Sequence, residues 1–207
     1  MPRGMKYPVM LFISLIFIGH FSGCAGRTYL MVNYQLPEAS QELKGQVVHL
    51  RVMDQRPAGS ILTANAARQF PQFSDVFNLS WIMPDQQSIQ AGEHHLLDLF
   101  KTVFVKRLTT LGGGTTDSSD AGIPVLTIAL KQVTLDLQNR EWKAALSYDA
   151  TLSLGDHPTA TEKIHGSGQR VLIIGRKGAD KLLSEIFSDA VNRLDLPRLF
   201  RNARLIP

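Results

Sequence analysis

The sequence predicts an α+β fold, a two-layer sandwich with a mostly antiparallel sheet of about four strands and two helices packed on one face. Two stretches, residues 89–111 and 179–193, repeat apolar side chains at three- and four-residue spacing, the period of a helix with one buried stripe. Other stretches alternate apolar and polar residues, the period of a strand with one wet face. The order of these patterns is strand, irregular segment, helix, three-stranded meander, helix. Two apolar stripes and a one-faced sheet are buried most simply against each other.

The first firm strand is Gln46–Met53, where Val48, Leu50 and Val52 alternate with His49 and Arg51. Asp54-Gln55-Arg56-Pro57 ends it. From there to Pro84 the pattern is irregular, with an extended piece at Ile61–Thr63 and an edge strand at Val76–Met83 bounded by Pro71 and Pro84. In the helix over 89–111, Leu96, Leu97, Phe100, Val103, Phe104, Leu108 and Leu111 form the stripe, and Gly112-Gly113-Gly114 stops it. Thr115–Gly122 reads as a polar loop. Ile123–Gln138 and Trp142–Leu154 form a hairpin around Asn139 and Arg140. Thr161–Ile174 is the next strand, and its Gly166 and Gly168 mark a bulge or a close contact. The second helix, Ala179–Arg193, ends before Pro197, and Leu196–Ala203 adds a short terminal turn.

The N-terminus has the three parts of an export signal. Arg3 and Lys6 are basic, Val9–Gly19 is almost wholly apolar, and Phe21-Ser22-Gly23 leads into Cys24, the one cysteine of the chain. The apolar run is shorter than the roughly 20 residues that cross a bilayer. The expected division is a lipoprotein signal peptide over 1–23, a lipidated N-terminus and tether over 24–45, and a single α+β domain over 46–203. Tyr29, Met31 and Tyr34 could form a short strand within that tether.

Composition narrows the function classes. The 207 residues hold 22 Lys and Arg against 18 Asp and Glu, a net charge of +4 that falls to +2 when Arg3 and Lys6 leave with residues 1–23. Such a weak excess, without a basic run, does not point to nucleic acid. With Cys24 lipidated, no thiol remains for a disulfide, a metal site or a nucleophile.

Phe21-Ser22-Gly23-Cys24 resembles the bacterial lipobox, with Phe21 where Leu is usual. The chain also resembles the YajG-type bacterial lipoproteins. The resemblance rests on the lipobox, the strand ending in Asp54-Gln55-Arg56, the helix Leu96–Leu111 closing on Gly112, and the hairpin around Asn139. The final helix with Asp189-Ala190-Val191-Asn192 and the terminal Leu199-Phe200 segment complete it. The layout is similar to that of auxiliary lipoproteins of lipid-transporting ABC systems as well. These resemblances imply an envelope-attached, non-enzymatic protein whose Cys24 bears fatty acids such as palmitate. Ala25 after the cysteine implies the periplasmic face of the outer membrane rather than the inner membrane.

The remaining candidates for chemistry have structural readings. His94 and His95 are adjacent, so on a helix they diverge by about 100°, unlike an i, i+4 metal pair. Asp54 and Arg56 suit a salt bridge at a strand end. Gly112-Gly113-Gly114 follows a helix rather than opening one, unlike a phosphate loop. Asp149 and Asp156 sit on a strand and a turn with nothing to make them an acid/base pair. Trp81, Trp142 and Tyr148 suit core packing better than an exposed aromatic patch. The sequence therefore predicts no catalytic residue, no metal and no cofactor. It predicts a tethered binding or scaffold module holding a protein partner, with strand addition at Val76–Met83 as one mode. The alternative is an accessory subunit of a lipid-transport system, which would call for an apolar cavity between the helix Leu96–Leu111 and the sheet. The anchor is tested directly: Cys24→Ser is expected to abolish labelling by a fatty-acid analogue and to leave uncleaved precursor on a gel.

Overall fold

A computed structural model describes residues 28–207 except 58, 119, 121, 156 and 173–175. The expected signal peptide over 1–23, Cys24 and Asp156 lie outside the described residues. The strands are β1 (Thr28–Gln35), β2 (Val47–Asp54), β3 (Phe73–Ile82), β4 (Ser88–His95), β5 (Gly114–Thr116), β6 (Val125–Gln138), β7 (Glu141–Leu154) and β8 (His157–Val171). The helices are α1 (Ala64–Ala67, one turn), α2 (Leu96–Thr110), α3 (Lys177–Arg193) and α4 (Leu196–Asn202).

The fold is α+β, as expected, but the single antiparallel sheet of about four strands is replaced by two mixed sheets. One has the order β1-β3-β4 and the other β5-β2-β6-β7-β8. In the first, β1 runs parallel to β3 and β3 antiparallel to β4. In the second, β2 runs parallel to β5 and β6, while β6, β7 and β8 form an antiparallel meander. The chain leaves β2 for the other sheet and returns through α2, so it re-enters beside β2 in the same direction. That crossover makes the sheet mixed.

The long meander matches the expected alternation. In β7, Ala144, Leu146, Tyr148, Ala150 and Leu152 are buried, and their neighbours face water, where Lys131 and Asp149 pair at 3.6 Å. Leu154, expected on the buried side, is exposed. Asn139 and Arg140, at φ 50° and 62°, turn β6 into β7 with the two positive φ angles of a tight hairpin. Gly112, at φ 82°, ends α2 in the left-handed conformation that stops a helix, and the Gly113 amide bonds the Leu108 carbonyl at 3.0 Å. The loop expected from Thr115 on begins as the short strand β5.

Three expectations are corrected. The helix over 89–111 begins only at Leu96. Ser88–His95 is strand β4, because it lacks an apolar stripe and its backbone finds a better partner in β3. Gly92, at φ 98°, is also incompatible with a helix there. Val76–Met83 is not an edge: β3 is the central strand of its sheet. The tether over 24–45 is, from Thr28 on, part of the domain. Strand β1 buries Leu30, Val32 and Tyr34 completely, and Leu36 and Leu43 lie in the same core.

One continuous core joins the sheets and helices. An aromatic chain crosses it edge to face: Trp81 on Tyr34, Tyr34 on Phe187, Phe187 on Phe100, and Phe100 on Tyr148. Phe104 closes onto Tyr148 from the next turn of α2. Each such side chain contributes roughly 1.5–3 kcal/mol by leaving water. Gly166 and Gly168 are the expected close contact rather than a bulge. A Cβ on Gly168 would lie 3.2 Å from Ile186 Cδ1 and 3.3 Å from Leu182 Cδ1, so α3 rests directly on β8. Gly168→Val is expected to cost about 1–3 kcal/mol by overpacking that contact, read as a lowered midpoint in urea denaturation.

Candidate functional site: the covered edge of β1 and the open edge of β4

Strand β1 pairs with β3 on one side, and among the described residues no strand lies on the other. Helix α3 covers that second edge with four short polar side chains at four-residue spacing: Asp180, Ser184, Ser188 and Asn192. Asp180 Oδ1 accepts from the Met31 amide at 3.0 Å, Ser184 Oγ from the Asn33 amide at 2.9 Å, and Ser188 Oγ from the Gln35 amide at 3.0 Å. Ser188 Oγ donates to the Asn33 carbonyl at 3.2 Å, and Asn192 Nδ2 donates to the Gln35 carbonyl at 2.9 Å. The match is geometric. One turn and a fraction of a helix advances about 6 Å over four residues, close to the 6.6 Å between alternate residues of a strand.

The ladder ends in a buried network. Asn192 Oδ1 accepts from the Tyr34 hydroxyl at 2.6 Å and from Arg107 at 3.0 Å. Arg107, buried on α2, also donates to the Leu194 carbonyl at 2.8 Å, so its charge meets the negative end of α3. Burial raises the Tyr34 hydroxyl to about 12, with Arg107 opposing, and raises Tyr148 further. Both phenols are therefore neutral donors; Tyr148 donates to the Ala190 carbonyl at 3.0 Å. Desolvation raises the Asp180 carboxyl, against the Met31 amide and Arg176, which lower it. A raised carboxyl contributes stability at low pH that is lost as pH rises through its folded value.

Beside this ladder runs an open groove of about 750 Å³ between β1 and α3, lined by Met31, Asn33, Asp180, Lys181, Glu185 and Asp189. Glu185 pairs with Arg170 at 2.7 Å, and Asp189 pairs with Arg193. Its polar groups are largely spent on holding β1, so the groove is a structural seam with a charged rim.

The residues singled out in the sequence do not converge. Asp54 and Arg56 form the expected strand-end salt bridge, bidentate at 2.8 Å, and Arg56 also reaches the Gly59 carbonyl. The Arg56 hydrogen bond holds the Asp54 carboxyl below its ordinary value. His94 Nε2 lies 3.1 Å from the Ala91 carbonyl, and His95 starts α2 from a strand rather than lying within a helix. Among the described residues no group of three His, Cys, Asp or Glu side chains could hold a metal. Trp142 and Tyr148 are fully buried and Trp81 packs against the core. The sequence reading missed the ladder and Arg107. The signal was present in the short polar residues at 180, 184, 188 and 192, flanking the apolar stripe of α3.

The outer edge of β4 differs from that of β1. Strand β4 is the last strand of its sheet, most of its side chains are exposed, and Ile89 is 49% exposed.

No family model matches this chain, and no curated protein matches it. A solved structure shares its form. A Xanthomonas campestris protein described as DUF330 superposes with a TM-score of 0.54 at 12% identity, covering 87% of this chain and 98% of that one. At this identity the likeness is one of fold. A neuraminyllactose-binding hemagglutinin homologue from Helicobacter pylori aligns over 87% of this chain and 96% of its own, at 7% identity and a TM-score of 0.37, too low to carry an argument. Replacing Ser184 by Ala is expected to leave the Asn33 amide without its acceptor. The cost should be about 1–3 kcal/mol, with faster hydrogen exchange at Asn33 by NMR.

Proposed function

We propose that this protein is a YajG-type envelope lipoprotein, anchored through Cys24 on the periplasmic face of the outer membrane, and that it acts as a non-enzymatic binding or scaffold module for a protein partner. The observation that supports a binding role is the contrast between the two ends of the small sheet. The edge of β1 is occupied by the side chains of α3, whereas β4 is the terminal strand and is largely exposed. An extended segment of a partner can add to such an edge through main-chain hydrogen bonds. The docking strand is thus Ser88–His95, in place of Val76–Met83, which lies inside the sheet.

The accessory lipid-transport reading has less support. The layer between α2 and the sheets is filled: Leu99, Phe100, Val103, Phe104 and Leu108 are buried, and the rings interlock. Lipid handled by this domain would have to meet its surface.

The strand-addition reading is tested with Ile89→Lys in the full-length lipoprotein. A lysine blunts an edge strand without touching the core, so folded stability should change by no more than about 0.5 kcal/mol. Partners recovered by pull-down from membranes and identified by mass spectrometry should fall at least fivefold. Unchanged recovery would remove β4 as the docking strand.

A further inference from the structure

The chain distance between the anchor and the fold is short. Cys24 precedes the first residue of β1, Thr28, by four residues, which reach at most about 14 Å when extended. On the reading of Cys24 as the lipid attachment point, the end of the domain at Thr28 is held against the bilayer.

The structure shows what stands at that end. Thr28 is in register with Phe73, whose ring meets Phe70, and Phe70 meets Trp142. Trp142 is in register with Arg170, next to Val171. The Leu172 amide donates to the Arg140 carbonyl at 2.7 Å, which ties the end of β8 to the β6–β7 turn. The Arg176 guanidinium lies 5.6 Å from the centre of the Phe70 ring. Three exposed arginines therefore gather here: Arg68 after α1, Arg140 in the hairpin turn, and Arg176 before α3. Among the described residues none of the three pairs with a carboxylate, whereas Arg56, Arg170, Arg193 and Arg198 all do. Two exposed apolar side chains accompany them, Tyr29 at 40% and Val171 at 58%.

The nearby acids offset these charges only in part. Asp180 attracts Arg176 but is turned to the Met31 amide, Asp136 accepts from Thr63, and Asp75 faces Arg56. Glu141 is half-buried opposite Val171. Arginines with an aromatic and an aliphatic side chain beside them suit the headgroup zone of a bilayer. The cations meet phosphates there and amphipathic rings settle at the interface.

We infer that the tip formed by Arg68, Arg140, Arg176, Tyr29 and Val171 is a membrane-contact surface that rests on anionic phospholipid headgroups and fixes the orientation of the domain above the bilayer. Strand β8 then points away from the membrane. Its Glu162, bound to Arg198 of α4 at 2.9 Å, lies nine residues from Val171, about 30 Å up the strand.

The test uses the full-length lipidated protein in vesicles of phosphatidylcholine, with or without phosphatidylglycerol. A fluorophore is placed at the tip by Gln138→Cys or at the far end by Asn202→Cys, and headgroup spin-labelled lipid quenches it. In anionic vesicles, quenching at 138 is expected to exceed that at 202 at least threefold. The ratio should fall to its neutral-vesicle value in Arg68→Gln/Arg140→Gln/Arg176→Gln protein, and in wild-type protein at about 1 M salt, where surface charges are screened. Equal quenching at the two positions, or a ratio indifferent to both salt and the triple substitution, overturns the membrane-contact surface while the lipid anchor stands. Wild-type protein lacking the lipid by mass spectrometry overturns both readings.

Discussion

A strand at the edge of a sheet presents a row of amides and carbonyls that must find partners. In this protein β1 meets that requirement through the side chains of α3, and much of the remaining arrangement follows. Because Asp180, Ser184, Ser188 and Asn192 each reach a set residue of β1, the helix has one axial position and one rotation. That rotation turns Leu182, Ile186 and Phe187 inward, sets Ile186 against Gly168, and brings the end of α3 to Arg107. A helix held only by apolar contact could slide by a turn; one holding a strand through a polar ladder cannot without orphaning several amides.

The same ladder makes the two sheets into one body. Strand β1 belongs to the small sheet, while α3 packs on β7 and β8 of the large one. Helix α2 completes the link through Arg107 and through Phe100, whose ring meets both Phe187 of α3 and Tyr148 of β7. The interior is consequently filled, and what is left for recognition lies at the periphery. Among the described residues, the open edge of β4, the rim of the β1–α3 groove and the arginine-bearing end near Thr28 are surfaces that remain.

Local patterns were legible wherever one segment could settle its own conformation. The apolar stripe of α3, the alternation of β7, the Asn139-Arg140 turn and the Gly112 stop all read correctly, because spacing and φ preference act over a few residues. Segments whose state depends on a distant partner did not. Ser88–His95 has polar residues that suit either state and becomes a strand by pairing with β3. Val76–Met83 looked like an edge because prolines bound it, yet the parallel partner that makes β3 central comes from Thr28–Gln35, about 45 residues earlier. That partner in turn looked like a tether. Its amides are satisfied by a helix some 150 residues away, a relation that no local spacing encodes.

The sequence by itself determined an α+β chain, its principal helices and meander, and the place of its one cysteine four residues ahead of the first strand. Side-chain periodicity and short motifs are local properties, so they survive reading in one dimension. Tertiary structure alone decided that there are two sheets, that β4 rather than β3 forms the open edge, and that Arg68, Arg140 and Arg176, distant in the chain, lie toward the Thr28 end of β1. Those outcomes depend on which backbone edges find partners across the fold, and hydrogen-bond satisfaction is a property of the assembled whole.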